Sequence, residues 1–233
     1  KKFIKETILS VLNQTYKNFE LIIIYDDFDQ CDLNYIKEIK NLDNRINLII
    51  NKKNIGAGLS RNQAMHYAKG SYIAFIDSDD LWHKTKLENQ IEFMKSNNLN
   101  ISHTSYEIID DNKNIKGNRV ARNFNEIKDL LKSCDIGLST VMIKKEIVSD
   151  QYSFADTKTK EDFIFWLKIL KNNHKIGGFD KILTSWRKLD NSLSSSTTQK
   201  LIDGFNVYFK YMNFGLFKSI YYLYCLSVNY LKK

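Results

Sequence analysis

Tyr72-Ile73-Ala74-Phe75-Ile76-Asp77-Ser78-Asp79-Asp80 is the stretch whose reading decides the fold. Five mostly apolar residues run straight into three carboxylates. An apolar run of that length reads as a buried strand. Side chains two apart on an extended chain point the same way, so Asp77 and Asp79 can face one ligand together. Acids crowded at a strand end are costly unless something positive sits there, and a hard divalent cation carrying substrate phosphates is the natural candidate. The plainer reading is that Asp77 to Asp80 cap the next helix, since Asp is a good N-cap. Three carboxylates exceed what one cap needs.

Upstream of this strand, Gly56 and Gly58 precede a helical pattern from about Leu59 to Ala68, closed by Lys69-Gly70. Asn47 to Ile50 reads as a strand, Leu33 to Ile39 as a helix, and Glu20 to Ile24 as a strand ending at Tyr25-Asp26-Asp27. Phe3, Ile4, Ile8, Val11 and Leu12 give a first helix to about Asn13. Downstream, Leu87, Ile91 and Met94 mark a helix. Such alternation argues for a mostly parallel sheet with helices on both faces. Ligands in such sheets bind at the carboxyl ends of the strands. Asp26, Asp27, Asp77 and Asp79 all lie at such ends and can converge on one crevice.

The second half alternates less cleanly. Ile101 to Ile109, Leu138 to Lys144 and Ile182 to Arg187 read as strands, and Asn125 to Ser133 as a helix. Glu161 to Leu170 reads as an amphipathic helix opened by two carboxylates, which could equally be ordinary first-turn acids. A serine-rich loop, Ser192 to Thr198, follows. From Leu201 the chain is aromatic and interrupted by lysine, and Phe214 to Leu231 is too impure for a transmembrane helix. It suits an interfacial helix with tyrosines at headgroup level, or a helix packed on the domain or on a second subunit.

The 233 residues, 43% hydrophobic and 27% charged, suffice for one sizeable α/β domain. The net charge of +8 suits an anionic membrane surface or a phosphorylated substrate. The lysines are dispersed, without the basic block of a nucleic-acid arm, so no nucleic-acid partner is expected. Cys31, Cys134 and Cys225 fit neither a disulfide framework nor a zinc motif, and a reducing compartment is the simpler reading. The chain opens on Lys1, without a methionine, directly into a helical pattern, so an N-terminal segment ahead of it is expected.

Taken in order, these motifs resemble a family 2 glycosyltransferase of the GT-A fold, the class that builds bacterial surface polysaccharides and lipooligosaccharides. The matching residues are Ser10-Val11-Leu12-Asn13-Gln14-Thr15-Tyr16, Glu20 to Asp27, Asn54-Ile55-Gly56, Ser60-Arg61-Asn62, Ala68-Lys69-Gly70, the DXD-type Asp77-Ser78-Asp79-Asp80, and Glu161-Asp162. They cover about residues 3 to 195. The resemblance implies a Rossmann-like catalytic domain over 1–199 whose first strand is expected ahead of Lys1, with a nucleotide-sugar half (1–100), an acceptor half (101–199) and a helical tail (200–233).

It also implies a nucleotide-diphosphate sugar donor, a UDP-sugar by family habit, and a glycan or lipid-linked saccharide acceptor. Asp26 or Asp27 would bind the base, and Arg61, Asn54 and Gly56 the nucleotide. Asp77 would approach the ribose, Asp79 would hold Mg²⁺ or Mn²⁺, and Asp162 would be the general base of an inverting displacement. Arg187, with Lys188, would clamp the diphosphate. The expected location is cytoplasmic, on the inner face of the membrane. A non-catalytic nucleotide-sugar-binding or assembly module is the competing reading. Ala64 stands where the family has glycine, and Leu189 near where it has histidine, so no metal ligand is assigned there. Trp166 is expected in the core.

Overall fold

The structure, a computed structural model, describes residues 2–149, 151–189 and 197–231. Most of the serine-rich loop, the strand expected ahead of Lys1, and Lys232-Lys233 lie outside the described residues. The elements in order are α1 (Ile4–Leu12), β1 (Leu21–Tyr25), α2 (Leu33–Lys40), β2 (Ile46–Ile50), α3 (Ala57–Tyr67), β3 (Tyr72–Ala74), β4 (Leu81–Trp82) and α4 (Lys86–Ser96). They continue with β5 (Ile101–Ile109), β6 (Ile115–Arg119), α5 (Ile127–Leu130), β7 (Met142–Lys144), α6 (Glu161–Lys171), β8 (Ile176–Arg187), α7 (Thr197–Asn206) and α8 (Leu216–Leu231).

The architecture is α/β, as expected, but the sheet is mixed. β1 and β2 pair in parallel as a separate two-stranded unit. The larger sheet runs β3-β7-β5-β8-β4, with β6 paired to β5. Only β5 and β8 are parallel there; β3–β7, β5–β7, β4–β8 and β5–β6 are antiparallel. The expectation of a mostly parallel sheet is therefore corrected. Long connections between β5, β7 and β8 let the chain reverse direction, and hydrophobic pattern alone carries no sign for strand direction. Between β1 and β3 runs a cleft of about 1920 Å³, lined by Ile22, Ile24, Tyr72, Ala74 and Ile76, and opening onto Asp26 and Asp77.

The Ser10 to Tyr16 motif ties the first helix to the loop beyond the acidic strand. Gln14 Nε2 donates to His83 O at 2.9 Å, and Leu87 N donates to Gln14 Oε1 at 3.0 Å. Trp82 N donates to Ser10 Oγ at 3.1 Å. These bonds satisfy buried backbone groups that no ladder reaches. α6 carries the core: Phe163, Ile164, Phe165, Trp166 and Leu167 are fully buried, so Trp166 is core as expected. A helix buried all round sits at the centre of its domain.

Other boundaries differ. Leu138 to Lys144 is a 3₁₀ turn, Leu138–Thr140, followed by the short β7. The helix expected over Asn125 to Ser133 is one turn, held by a reciprocal Glu126–Asp129 capping box. The tail does not stand apart: Val207, Tyr208, Met212 and Leu226 belong to the main core, and Tyr208 Oη donates to Leu131 O at 2.6 Å.

Candidate active site

The site assembles where β1 and β3 end. After β1, Asp26 is the hub of the Asn54-Ile55-Gly56 turn. Its carboxylate accepts from Asn51 Nδ2 at 2.7 Å, Ile55 N at 2.9 Å and Gly56 N at 2.8 Å, while Asn54 Nδ2 donates to Asp26 O at 2.6 Å. Gly56 has φ of 86°, a conformation glycine adopts without steric cost. Asp26, Asn54 and Gly56 are thus brought together as expected. The Asp26 carboxylate holds the turn, and the neighbouring Asp27, half-buried, stands beside it.

The Ser60-Arg61-Asn62 run on α3 locks the two halves of the chain. Asn62 exchanges two bonds with the Phe154 backbone, at 2.9 and 2.8 Å. A Cβ at Gly58 would lie 2.6 Å from Ala155 O, so glycine permits this close approach. Arg61 donates through Nη2 to Asp77 Oδ1 at 2.8 Å and through Nη1 to Glu161 Oε1 at 2.6 Å. Burial works against the Arg61 charge, yet Asp77 and Glu161 more than offset it and raise its pKa. This one side chain joins the end of β3 to the start of α6, where Asp162 follows Glu161.

Asp162 opens α6 behind Lys160, whose backbone is left-handed at φ 69°. Its Oδ1 accepts from Phe163 N at 2.7 Å. Burial raises its pKa, with the Asp77 charge adding and Lys160 and Arg61 opposing. Burial likewise raises Glu161, and the Asp162 charge adds to that. On the strand side, burial and then the Asp77 charge raise Asp79. Burial is the leading cause of the rise at all three carboxyls, and the nearby cations Arg61, Lys160 and Arg187 offset it only in part.

Two expectations are corrected. Arg187 is no diphosphate clamp. Its side chain is 0% exposed, and its guanidinium donates to Asp79 O at 2.9 Å, Asp110 O at 3.1 Å, Asp111 O at 3.2 Å and Glu6 Oε2 at 3.0 Å, over the Phe3 ring. Strand alternation turns it away from the crevice and into the fold. Asp80 does not cap the next helix, which starts at Lys86. It is buried, accepting from Ser139 Oγ at 2.5 Å and Arg187 N at 2.8 Å.

Sequence reasoning missed Glu161 as the second partner of Arg61. It also missed Ser139, whose Oγ accepts from Asp77 N at 2.9 Å while donating to Asp80. No pattern around Ser139 marks it; the Glu-Asp pair was visible, but its partner lies a hundred residues away in sequence. Among the described residues, no group of three His, Cys, Asp or Glu side chains is gathered as a self-sufficient metal site.

A mixed α/β fold with its acids gathered at the ends of β1, β3 and the start of α6 defines the GT-A class of glycosyltransferase. S. aureus TarS 1-349 in complex with UDP-GlcNAc superposes with a TM-score of 0.71 at 22% identity over 89% of this chain, which spans 61% of that chain. The description "Glycosyl transferase family 2" matches residues 1–148, and the chain belongs to this family. It is 40% identical, over 85% of its length and 77% of the relative's, to the Escherichia coli protein named UDP-Glc:alpha-D-GlcNAc-diphosphoundecaprenol beta-1,3-glucosyltransferase WfgD. It is 34% identical, over 83% of its length and 77% of the relative's, to the Bacillus subtilis protein named putative teichuronic acid biosynthesis glycosyltransferase TuaG.

Proposed function

We propose that this protein is an inverting glycosyltransferase that moves a sugar from a UDP-linked donor to a hydroxyl of an N-acetylglucosaminyl lipid diphosphate in surface-polysaccharide synthesis. The Arg61 bridge from Asp77 to Glu161 carries this reading, because it ties a strand-end acid to the residue next to Asp162. The name of the Escherichia coli relative supports the donor and acceptor classes, and that of the Bacillus subtilis relative supports a role in polysaccharide synthesis.

The base and ribose lie against Asp27, the Asn54–Gly56 turn and Asp77. Asp26 and Arg61 hold these contacts in place, Asp26 through the turn and Arg61 through its two carboxylates. Asp162 takes the proton from the acceptor hydroxyl as that oxygen attacks the anomeric carbon. One displacement inverts the centre, turning an α-linked donor into a β-linkage. The raised Asp162 pKa makes it a stronger base than an ordinary aspartate, at the cost of needing a higher pH to ionise.

Asp79, whose pKa is raised by burial and then by the Asp77 charge, is an oxygen ligand that would suit a hard cation such as Mg²⁺ or Mn²⁺. When bound, that ion supplies a Lewis acid that offsets charge on the leaving UDP.

The purified chain, given UDP-glucose, Mn²⁺ and a lipid-diphosphate N-acetylglucosamine, is expected to transfer glucose. Asp162→Asn should lower kcat by about 10²–10⁴-fold while donor binding survives. The acidic limb of the wild-type rate profile should lie above the usual aspartate range. Donor binding without turnover on any acceptor would identify a binding module instead.

From the same reading we infer that the protein works at the inner membrane face. α8 packs Tyr222 and Leu226 inward but exposes Leu216, Phe217, Ile220, Tyr221 and Tyr224 along one stripe, with Phe217 87% exposed. Residues 204–233 contain no Asp or Glu, while Lys210, Lys218, Lys232 and Lys233 are basic. An apolar stripe set among cations fits an anionic lipid surface.

A further inference from the structure

The donor crevice leaves an aromatic pair unused. Trp186 stands on β8 with 37% of its surface exposed, and Tyr106 on β5 meets it edge to face, ring centroids 6.5 Å apart at 76°. In the parallel β5–β8 register, Tyr106 opposes Thr184 and Ile108 opposes Trp186. Alternation then puts Tyr106, Ile108, Thr184 and Trp186 on one face of the sheet.

That face is the one facing the acids. Thr184 Oγ1 donates to Ser139 O at 3.3 Å, and a Cβ at Gly137 would lie 3.4 Å from the Tyr106 ring. Ser139 in turn holds Asp77 N and the Asp80 carboxylate. Trp186 also adjoins Arg187 N, which donates to Asp80. Its neighbour Arg187 takes the opposite face and packs into the fold, so Trp186 is the exposed member of the two.

The strand order separates this pair from the nucleotide. The turn held by Asp26 follows β1, which faces β3 across the cleft. β8 lies on the other side of β3, beyond β7 and β5. The acids stand between the two, so a ligand at Trp186 is across the reacting centre from the base. A rigid indole with one open face, propped by a tyrosine, suits a flat apolar surface carrying polar edges. The C–H face of a pyranose ring has that character, and its hydroxyls can stay hydrated.

We propose that Trp186, propped by Tyr106, is the acceptor subsite, stacking the pyranose ring whose hydroxyl is glycosylated. The proposal rests on the transferase reading for the identity of the sugar.

The test uses the full chain, UDP-glucose, Mn²⁺ and N-acetylglucosamine α-diphosphate on a phenoxyalkyl lipid. Trp186→Ala should raise the acceptor KM at least tenfold while the donor KM moves less than twofold, and Trp186→Phe should recover most of the loss. An unchanged acceptor KM, or equal rises in both constants, would overturn the subsite. Saturation-transfer NMR with the same acceptor, Mn²⁺ omitted, needs no turnover: signal lost in Trp186→Ala but kept in Trp186→Phe supports the subsite, and equal signal in all three overturns it. Binding through Trp186 without any wild-type turnover would sink the transferase reading and leave the subsite standing.

Discussion

At the scale of single residues, the site turns on Arg61. Its two carboxylate partners come from β3 and α6, and its side chain is 20% exposed. Breaking a buried pair strands the remaining charge, at about 3–5 kcal/mol when burial is complete. Asp77 is partly open to solvent, so Arg61→Ala should cost less, about 2 kcal/mol, measured by denaturant unfolding. Transfer should fall more than tenfold because Asp77 and Glu161 then repel each other. Arg61→Lys should recover little, since one ammonium cannot repeat the planar two-sided fork. The residue types were legible in the sequence: acids at strand ends, an arginine on the following helix, an acid pair opening another. Their partners were not. Arg187 shows the limit, because a side chain's sequence position fixes its type while the strand's alternation fixes which way it points.

At the scale of elements, α1 and α6 were readable because each repeats apolar residues at helical spacing, and α3 because glycines bracket it. β7 and α5 were not, because three or four residues carry too little period to distinguish strand, turn and helix. The tail was legible as a helix and ambiguous as to its neighbour, and the structure gives it two faces. Asp203 on α7 accepts from Thr159 N at 3.0 Å and Thr159 Oγ1 at 2.8 Å, tying the tail to the loop before α6. The opposite stripe of α8 is open. The double substitution Phe217→Ser, Tyr221→Ser should therefore leave the thermal midpoint near wild type. It should also sharply reduce flotation with vesicles rich in phosphatidylglycerol. Equal flotation of both proteins would remove the lipid surface as partner.

At the scale of the whole molecule, stability gathers around a buried core that includes one lysine. Lys86 is fully buried, donates to Gln90 Oε1 at 2.5 Å and lies over the Trp82 ring. Burial lowers its pKa from 10.5 to about 7. Between about pH 7 and 10.5 the unfolded chain holds a proton that the folded chain does not. Stability from this group therefore rises with pH across that window and is lost as pH falls toward 7. Lys86→Met should flatten that rise, read as thermal midpoints from pH 7 to 10 against wild type; an identical slope would refute the buried neutral amine.

The sequence by itself determined the α/β class, the helices with a clear period and the residue types of the crevice, because those follow from local spacing and local chemistry. Tertiary structure alone decided the mixed strand directions, the inward turn of Arg187, the Ser139 anchor and the Trp186–Tyr106 pair. Each of those depends on which distant segments lie side by side, and that is settled by packing of the whole chain.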